Sequence, residues 1–202
     1  TFPESIGQIK GISYAVTSNG AAIYNKKTGE RIHGVAIEYA DLHSILDAFA
    51  HYFHNGQITY EAFVDGVAYG GREYVEHPET FGVPERNVAY VQSTRKPVDD
   101  IIAFLSEHEE ELDSLDIVAA DTALYQKIEE QIPLVTKSVY TTSAVSYRLE
   151  ISHKNSGKAT GLAYVLKLLD ITPEETVAFG DGDNDAEMLE IAGLGVAMEN
   201  AT

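Results

Sequence analysis

The feature that most constrains this chain is a short apolar run that ends in three closely spaced carboxylates. Residues 177–180 read Val-Ala-Phe-Gly, and residues 181–185 read Asp-Gly-Asp-Asn-Asp. A short apolar run bounded by glycine predicts a buried strand, and the segment 184–192, with Gly193 after it, predicts a helix. In an open parallel sheet, ligands bind outside the carboxyl ends of the strands. The sequence therefore predicts an α/β fold with a ligand site at the end of this strand.

Three interpretations of the acidic segment 181–185 compete. Its spacing resembles an EF-hand calcium loop, but that loop needs glycine and a bidentate glutamate where this chain has Ala186 and Ala192. A polar turn that caps the next helix needs only one carboxylate, whereas three crowd together here at a mutual electrostatic cost. A bound cation removes that cost, so we favour a site for a hard divalent cation.

Composition limits the partners of the chain. The 202 residues carry a formal net charge of −18, which disfavours nucleic acid and anionic membrane surfaces, because binding to either depends on Lys and Arg. An anionic substrate would need a local cation or a metal ion to hold it.

There is no cysteine, so thiolate metal sites and cysteine nucleophiles are excluded. No run approaches the roughly 18 apolar residues of a membrane helix, and residues 1–5 lack signal-sequence character, so we expect a cytoplasmic protein.

Hydrophobic patterning predicts alternating strands and helices, which is typical of an α/β protein. The first strand ends in small polar residues at 17–20, which are suited to hydrogen-bonding a ligand, and 73–96 is interpreted as irregular or partly helical. Strands are predicted at 11–20, 22–25, 31–37, 58–64, 67–70, 116–120, 134–140, 147–151, 177–179 and 195–198, and helices at 42–53, 97–105, 123–131, 158–169 and 184–192.

Lys158 has an unusual predicted position. Ser156 is a plausible N-cap of the helix 158–169, which puts Lys158 in the first turn. Its charge there opposes the positive end of the helix dipole, at a cost of up to ~1 kcal/mol. One explanation is an exposed lysine whose long stem carries the ammonium group away from the helix end. The other is an anion that binds between the ammonium group and the helix amino end.

Several segments together resemble the haloacid dehalogenase (HAD) superfamily, and more closely its Cof-type phosphatases of sugars and small metabolites. The resemblance implies a Rossmann-like core, a three-layer parallel sheet present only in part, with an inserted α/β cap domain of type II. The segments that carry it are 17–25, 149–151 with Lys158, 178–189 and 195–201. We expect core segments at 1–25 and 147–202 and the cap domain at 26–146.

The resemblance also implies roles for individual residues. Asp181 would bind Mg²⁺, and Asp185 would support the metal ion through its waters. Asn184 would hydrogen-bond the substrate phosphate. Lys158 would be the catalytic residue that neutralises the phosphate and the nucleophile. Asp183 stands at a variable position of the motif and is left out of the site.

Asn19 and Gly20 would lie beside the pocket as substrate-binding residues. The nucleophile of this superfamily is the first Asp of an Asp-x-Asp-Gly-Thr motif, and the second Asp is the general acid and base. This chain has no such motif; Asp121 and Thr122 come nearest, but Ala123 stands where the second carboxylate is needed. We therefore expect about 60 residues, two strand-helix units, before the first residue, and a further strand and helix after the last.

The function implied by the resemblance is a Mg²⁺-dependent phosphatase that hydrolyses small phosphorylated metabolites, such as sugar phosphates, through an aspartyl-phosphate. The 202 residues alone are expected to be inactive, because the nucleophile lies outside them. A phosphomutase of the same superfamily would share every residue named here. A non-catalytic module that binds a phosphometabolite or a cation is the alternative from another class. The sequence is silent on oligomeric state.

Overall fold

The computed structural model describes residues 8–201, which contain both helices and strands. The strands are β1 (Tyr14–Thr17), β2 (Ala22–Asn25), β3 (Arg31–Gly34), β4 (Ile58–Val64), β5 (Val67–Gly71), β6 (Arg95–Val98), β7 (Leu112–Ala119), β8 (Val139–Val145), β9 (Arg148–His153), β10 (Val177–Gly180) and β11 (Leu194–Ala197). The helices are α1 (Tyr39–His54), α2 (Arg72–Glu76), α3 (Glu85–Thr94), α4 (Ile101–Glu107), α5 (Thr122–Val135), α6 (Lys158–Leu169) and α7 (Ala186–Ile191). Single 3-10 turns lie at Ser18–Gly20, Pro78–Phe81, Pro173–Glu175 and Asp183–Asp185.

The chain divides into two compact units. Residues 36–154 form one, called here the insert unit, and residues 8–35 with 155–201 form the other, called the flanking unit. These bounds differ from the predicted domains 1–25, 26–146 and 147–202. Both domain boundaries differ from the predicted ones because of strand pairing. Strand β3 pairs with β2 in the flanking unit, and β9 pairs with β7 and β8 in the insert unit.

The insert unit is built on a six-stranded sheet in the order β6-β5-β4-β7-β9-β8. Only β5 and β6 run parallel; the other neighbours are antiparallel. Side chains alternate between the two faces of each strand, and one face packs with α1, α4 and α5 into the main hydrophobic core. The predicted stripe of the first helix supplies its buried residues Leu42, Ile45 and Phe49, which confirms that prediction.

The other face of this sheet holds a buried network of charged groups. Glu61 is fully buried and accepts hydrogen bonds from Arg95 Nε at 2.8 Å, Arg95 Nη2 at 2.9 Å and Tyr74 Oη at 2.5 Å. Burial alone would raise the pKa of Glu61, but the two arginines, Arg95 and Arg148, hold it below its usual range. Burial instead raises the pKa of Asp116 well above its usual range, because Arg148 only partly offsets desolvation and the nearby carboxylates.

The boundaries predicted at Pro97 and at residue 134 in the insert unit are wrong. Pro97 lies inside β6, and α4 begins only at Ile101, because Asp100 caps it by accepting hydrogen bonds from two main-chain N–H groups. The predicted strand 134–140 begins only at Val139, because α5 continues through Pro133. The segment 73–96 is partly helical, as predicted.

The flanking unit contains two small sheets. Strands β1, β2 and β3 form an antiparallel sheet, and the predicted hairpin around 26–29 is confirmed. Strands β10 and β11 pair in parallel, as an α/β repeat requires. Burial of β10 is only partial: Ala178 and Gly180 are buried, whereas Val177 and Phe179 are exposed in the described structure. Across residues 8–201 no helix has the length and apolarity that crossing a bilayer requires.

Candidate functional site

The acidic segment follows the end of β10, as the sequence predicts, and folds back on itself. The carboxylate of Asp185 accepts hydrogen bonds from the main-chain N–H of Asp181 at 3.0 Å and of Gly182 at 3.1 Å. Asp185 is 5 % exposed, and a Cβ at Gly180 would overlap its side chain. The strand end must therefore be glycine for the aspartate to turn inward and hold the loop.

Helix α6 brings Lys158 to this loop. Lys158 Nζ donates to Asp185 Oδ1 at 2.5 Å and to Asn184 Oδ1 at 3.0 Å. The side chain of Lys158 is 32 % exposed, and its ammonium group is held by the acidic loop instead of extending freely from the helix. The ion pair offsets the unfavourable position at the positive end of the helix dipole.

The predicted N-cap of α6 needs correction. Gly157, not Ser156, is the N-cap residue, and no side chain caps the helix. The Ser156 hydroxyl is buried and has no hydrogen-bond partner within residues 8–201. Gly157 has a φ of 141°, a conformation that glycine adopts readily and other residues rarely.

Charge and hydrogen bonding fix the ionisation state of Asp185. Burial alone would raise the pKa of its carboxyl. The hydrogen bonds from Lys158 and from the two main-chain N–H groups outweigh burial and lower the pKa below its usual range. Asp185 is therefore an ionised, fully engaged carboxylate at neutral pH.

The polar end of β1 reaches the same place. Asn19 Oδ1 accepts a hydrogen bond from Asn184 Nδ2 at 3.2 Å, and the main-chain carbonyl of Asn19 accepts one from the N–H of Gly157 at 2.6 Å. Gly20 packs so closely on Gly157 that a Cβ at Gly20 would overlap the Gly157 main chain. The structure thus brings Asn19 and Gly20 together with Lys158 and the acidic loop.

Asp181 occupies the exposed rim of the loop. Its Oδ2 accepts a hydrogen bond from Asn200 Nδ2 at 2.8 Å. Sequence reasoning missed Asn200, although the residue lies in one of the segments that carry the family resemblance; a contact across 19 positions leaves no periodic signal. Asp183 is exposed as well.

A cavity of ≈ 300 Å³ lies beside these residues in the flanking unit. Its wall includes the turn 17–20 and Lys158, and the remainder is apolar, with Leu162, Val165 and Met188. A larger cavity of ≈ 640 Å³ in the insert unit holds none of the predicted site residues. Of these two cavities, the smaller one is therefore the cavity that adjoins the predicted site residues.

The oxygen ligands of the loop are compatible with Mg²⁺, although they do not form a closed cage. Within residues 8–201 no group of three or more His, Asp or Glu side chains is arranged to hold a metal ion. Mg²⁺ needs only one or two carboxylates, because waters and substrate phosphate oxygens complete its coordination. Asp181 is exposed and can serve as a direct ligand, whereas both oxygens of Asp185 already accept hydrogen bonds.

Comparison with known proteins gives consistent matches over nearly the whole chain. Residues 3–202 match the family model described as haloacid dehalogenase-like hydrolase. The phosphatase YwpJ of Bacillus subtilis (strain 168) is 28 % identical over 212 residues, which cover 94 % of this chain and 70 % of that protein.

Solved structures share the fold. A haloacid dehalogenase-like hydrolase from B. subtilis superposes with a TM-score of 0.76 at 23 % identity, over 98 % of this chain and 73 % of that one. The HAD subclass IIB sugar phosphatase BT4131 superposes with a TM-score of 0.67 at 18 % identity, over 95 % of this chain and 66 % of that one. The fold is therefore α/β, with the Rossmann-like core of these hydrolases.

Proposed function

Since the chain belongs to the haloacid dehalogenase-like hydrolase family, we propose that it forms part of a Mg²⁺-dependent phosphatase of small phosphorylated metabolites. The observation that carries this proposal is the ammonium group of Lys158, which lies between Asp185 and Asn184 at the end of β10. A cation held at that point in a chain of net charge −18 offers a local site for a phosphate group. The phosphatase YwpJ, which matches over most of the chain, supports the same reaction class.

Lys158 would bind the oxygens of the transferring phosphoryl group. Its ammonium group has three hydrogens, of which two already point to Asp185 and Asn184. The third can be donated to a phosphate oxygen. Because Asp185 is ionised and buried, it fixes the position of the ammonium group without being available to attack phosphorus.

Asn184 would donate a second hydrogen bond to the phosphate. Its Nδ2 carries two hydrogens, and one is used by Asn19. The other is available for an oxygen of the substrate. Lys158 and Asn184 would thus hold two phosphate oxygens in fixed directions, which is the positioning that phosphoryl transfer needs.

Asp181 would be the carboxylate ligand of Mg²⁺, and Asp185 would hold the loop that presents it. When bound, Mg²⁺ would neutralise charge on the phosphoryl group. We place the attacking aspartate, and the aspartyl-phosphate that it would form, outside residues 1–202, because these residues lack an Asp-x-Asp-Gly-Thr motif. We assign the insert unit to the cap domain of the family.

Sugar phosphates are the substrate class that we propose. The structurally similar BT4131 is named a sugar phosphatase, and sugar phosphates match the small phosphorylated metabolites expected from the sequence. The choice among sugars would depend on side chains outside the phosphate site, since Lys158 and Asn184 contact only the phosphate in this proposal.

The test compares this chain with the complete gene product, both assayed with p-nitrophenyl phosphate and a panel of sugar phosphates, with Mg²⁺ and with EDTA. We expect Mg²⁺-dependent release of inorganic phosphate from the complete product and none from the 202 residues alone. Activity in the 202 residues would show that the nucleophile lies within them. Transfer of phosphate to a second position of the sugar, without release, would indicate a phosphomutase. Binding without turnover in the complete product would indicate a binding module.

A further inference from the structure

We propose that Asn19 is a positioning residue of the phosphate site, which fixes both Asn184 and the amino end of the helix that carries Lys158. This inference rests on the proposed function above. It replaces the substrate-binding role that the sequence suggests for Asn19. Three features of the flanking unit support it: one side-chain contact, one main-chain contact and an unusual backbone conformation.

The side-chain contact sets the orientation of Asn184. Asn19 Oδ1 accepts from Asn184 Nδ2 at 3.2 Å, and on its other side Asn184 Oδ1 accepts from Lys158 Nζ at 3.0 Å. If the amide of Asn184 rotated by half a turn, its NH₂ group would face the ammonium group of Lys158, donor against donor. Asn19 prevents that rotation by offering an acceptor to the NH₂ group.

The main-chain contact fixes the start of α6. The carbonyl of Asn19 accepts a hydrogen bond from the N–H of Gly157 at 2.6 Å, and Gly157 is the residue directly before Lys158 and the N-cap of α6. That N–H belongs to a helix end without a side-chain cap. One residue thus contacts both the residue before Lys158 and the side chain beside its ammonium group.

The backbone of the turn is strained in a way that these contacts explain. Ser18 and Asn19 both have a φ of 49°, and Gly20 has a φ of 92°, so three successive residues adopt positive φ. This conformation costs roughly 1 kcal/mol or more for each residue that is not glycine, and such strain persists only where surrounding contacts maintain it. In this conformation the carbonyl of Asn19 accepts from Gly157 and its side chain accepts from Asn184.

The consequence for catalysis is geometric. Lys158 and Asn184 must hold phosphate oxygens within a few tenths of an ångström of their productive positions. Without the Asn19 side chain, the side-chain amide of Asn184 would be free to rotate. The main-chain hydrogen bond between residue 19 and Gly157 would remain. Turnover would then fall while the fold stays intact.

The experiment uses two substitutions and a matched control. Asn19→Gly removes the side chain and accepts positive φ without strain, and Asn19→Asp retains an acceptor oxygen. Asp170→Gly is the control, because Asp170 also has positive φ, at 55°, and is the exposed residue that ends α6. Two readouts are taken: kcat and KM of the complete gene product with p-nitrophenyl phosphate, and solvent exchange of the Asn184 side-chain NH₂ group in the 202-residue chain by NMR.

For Asn19→Gly we expect a fall of about 10- to 100-fold in kcat, a clearly faster exchange of the Asn184 NH₂ group, and unchanged protection of the Gly157 N–H. Asn19→Asp should recover most of the slow exchange, and Asp170→Gly should match the unaltered protein in both readouts. A kcat within about twofold of the unaltered protein for Asn19→Gly would overturn the proposal.

The two readouts separate this proposal from the proposed function. Loss of activity with unchanged exchange of the Asn184 NH₂ group would overturn positioning and return Asn19 to direct substrate contact. If the unaltered complete protein has no phosphatase activity, the proposed function fails. The exchange rate of Asn184 in Asn19→Gly then decides the positioning claim by itself: faster exchange supports it, and an unchanged rate refutes it.

Discussion

The ammonium nitrogen of Lys158 lies 2.5 Å from Oδ1 of Asp185, although the two residues are 27 positions apart in the chain. The pair joins the first turn of α6 to the loop after β10. If the two side chains lay on opposite sides of the flanking unit, they could not form a phosphate site together. Their contact is therefore the observation on which the functional proposal depends.

Asp185→Asn should destabilise the flanking unit. Asp185 is buried and accepts one hydrogen bond from Lys158 and two from main-chain N–H groups, and a buried hydrogen bond to a charged group contributes about 1.5–3 kcal/mol. We expect a loss of roughly 2 kcal/mol in the free energy of unfolding, measured by urea denaturation. Glu190→Gln, at an exposed position of α7, is the control and should change little. Equal stability of the two variants would argue against a stabilising ion pair between Asp185 and Lys158.

Asp181→Asn tests, in the complete gene product, whether Asp181 binds the metal ion. Asp181 is exposed, so its substitution should leave the free energy of unfolding within about 0.5 kcal/mol of the unaltered protein. We expect kcat to fall by at least about 100-fold and the Mg²⁺ concentration at half-maximal activity to rise. A nearly unchanged kcat would remove Asp181 from the metal site.

Gly20→Ala should lower the stability of the chain by more than the cost of placing alanine at a positive φ. A Cβ at Gly20 would overlap the main chain of Gly157, in addition to the unfavourable φ of 92°. We expect a loss of about 2–4 kcal/mol in the free energy of unfolding. Gly29→Ala is the matched control, because Gly29 also has positive φ, at 73°, but a Cβ there meets no atom within 4 Å. Its loss should stay near 1 kcal/mol; equal losses would show that the contact with Gly157 is unimportant.

Glu61→Gln should strongly destabilise the insert unit. The substitution leaves the guanidinium group of Arg95, whose side chain is 3 % exposed, without its charged partner. Removing one member of a buried ion pair costs about 3–5 kcal/mol. Urea denaturation of this variant beside Glu110→Gln, an exposed control, measures the difference. A loss below about 1 kcal/mol would show that Glu61 is not ionised in the folded protein.

Glu61 and Asp116 should make opposite contributions to the pH dependence of stability. The pKa of Glu61 is lowered on folding, so its contribution is present above the unfolded value of about 4.3 and is lost as pH falls through the folded value. The pKa of Asp116 is raised, so its contribution is present below the unfolded value of about 3.9 and is lost as pH rises through the folded value.

Asp116→Asn provides the measurement. The free energy of unfolding of this variant, relative to that of the unaltered chain, should increase as pH rises above the unfolded pKa of about 3.9, because Asn needs no ionisation. Urea denaturation at several pH values follows this difference. A difference that stays constant with pH would show that the pKa of Asp116 is not raised.

Much of the secondary structure follows from local pattern. The apolar stripe at 42–53 predicted α1, and the apolar pairs of strands around 26–29 and around 65–66 predicted the hairpins. Local pattern failed at Pro97 and at the end of α5, where several residue types fit a helix start or end equally well. At Pro97 the boundary was decided by a capping side chain, that of Asp100. At the end of α5 it was decided by the continued buried face of the helix.

The sequence by itself determined the α/β class, the acidic loop after β10 and Lys158 in the first turn of α6, because periodicity, glycine positions and motif spacing are local properties. Only the tertiary structure decided that Asp185 pairs with Lys158, that Asn19 contacts Asn184 and Gly157, and that Asn200 contacts Asp181. These contacts join residues far apart in the chain. They depend on how strands and helices pack, and no local pattern in the sequence encodes that packing.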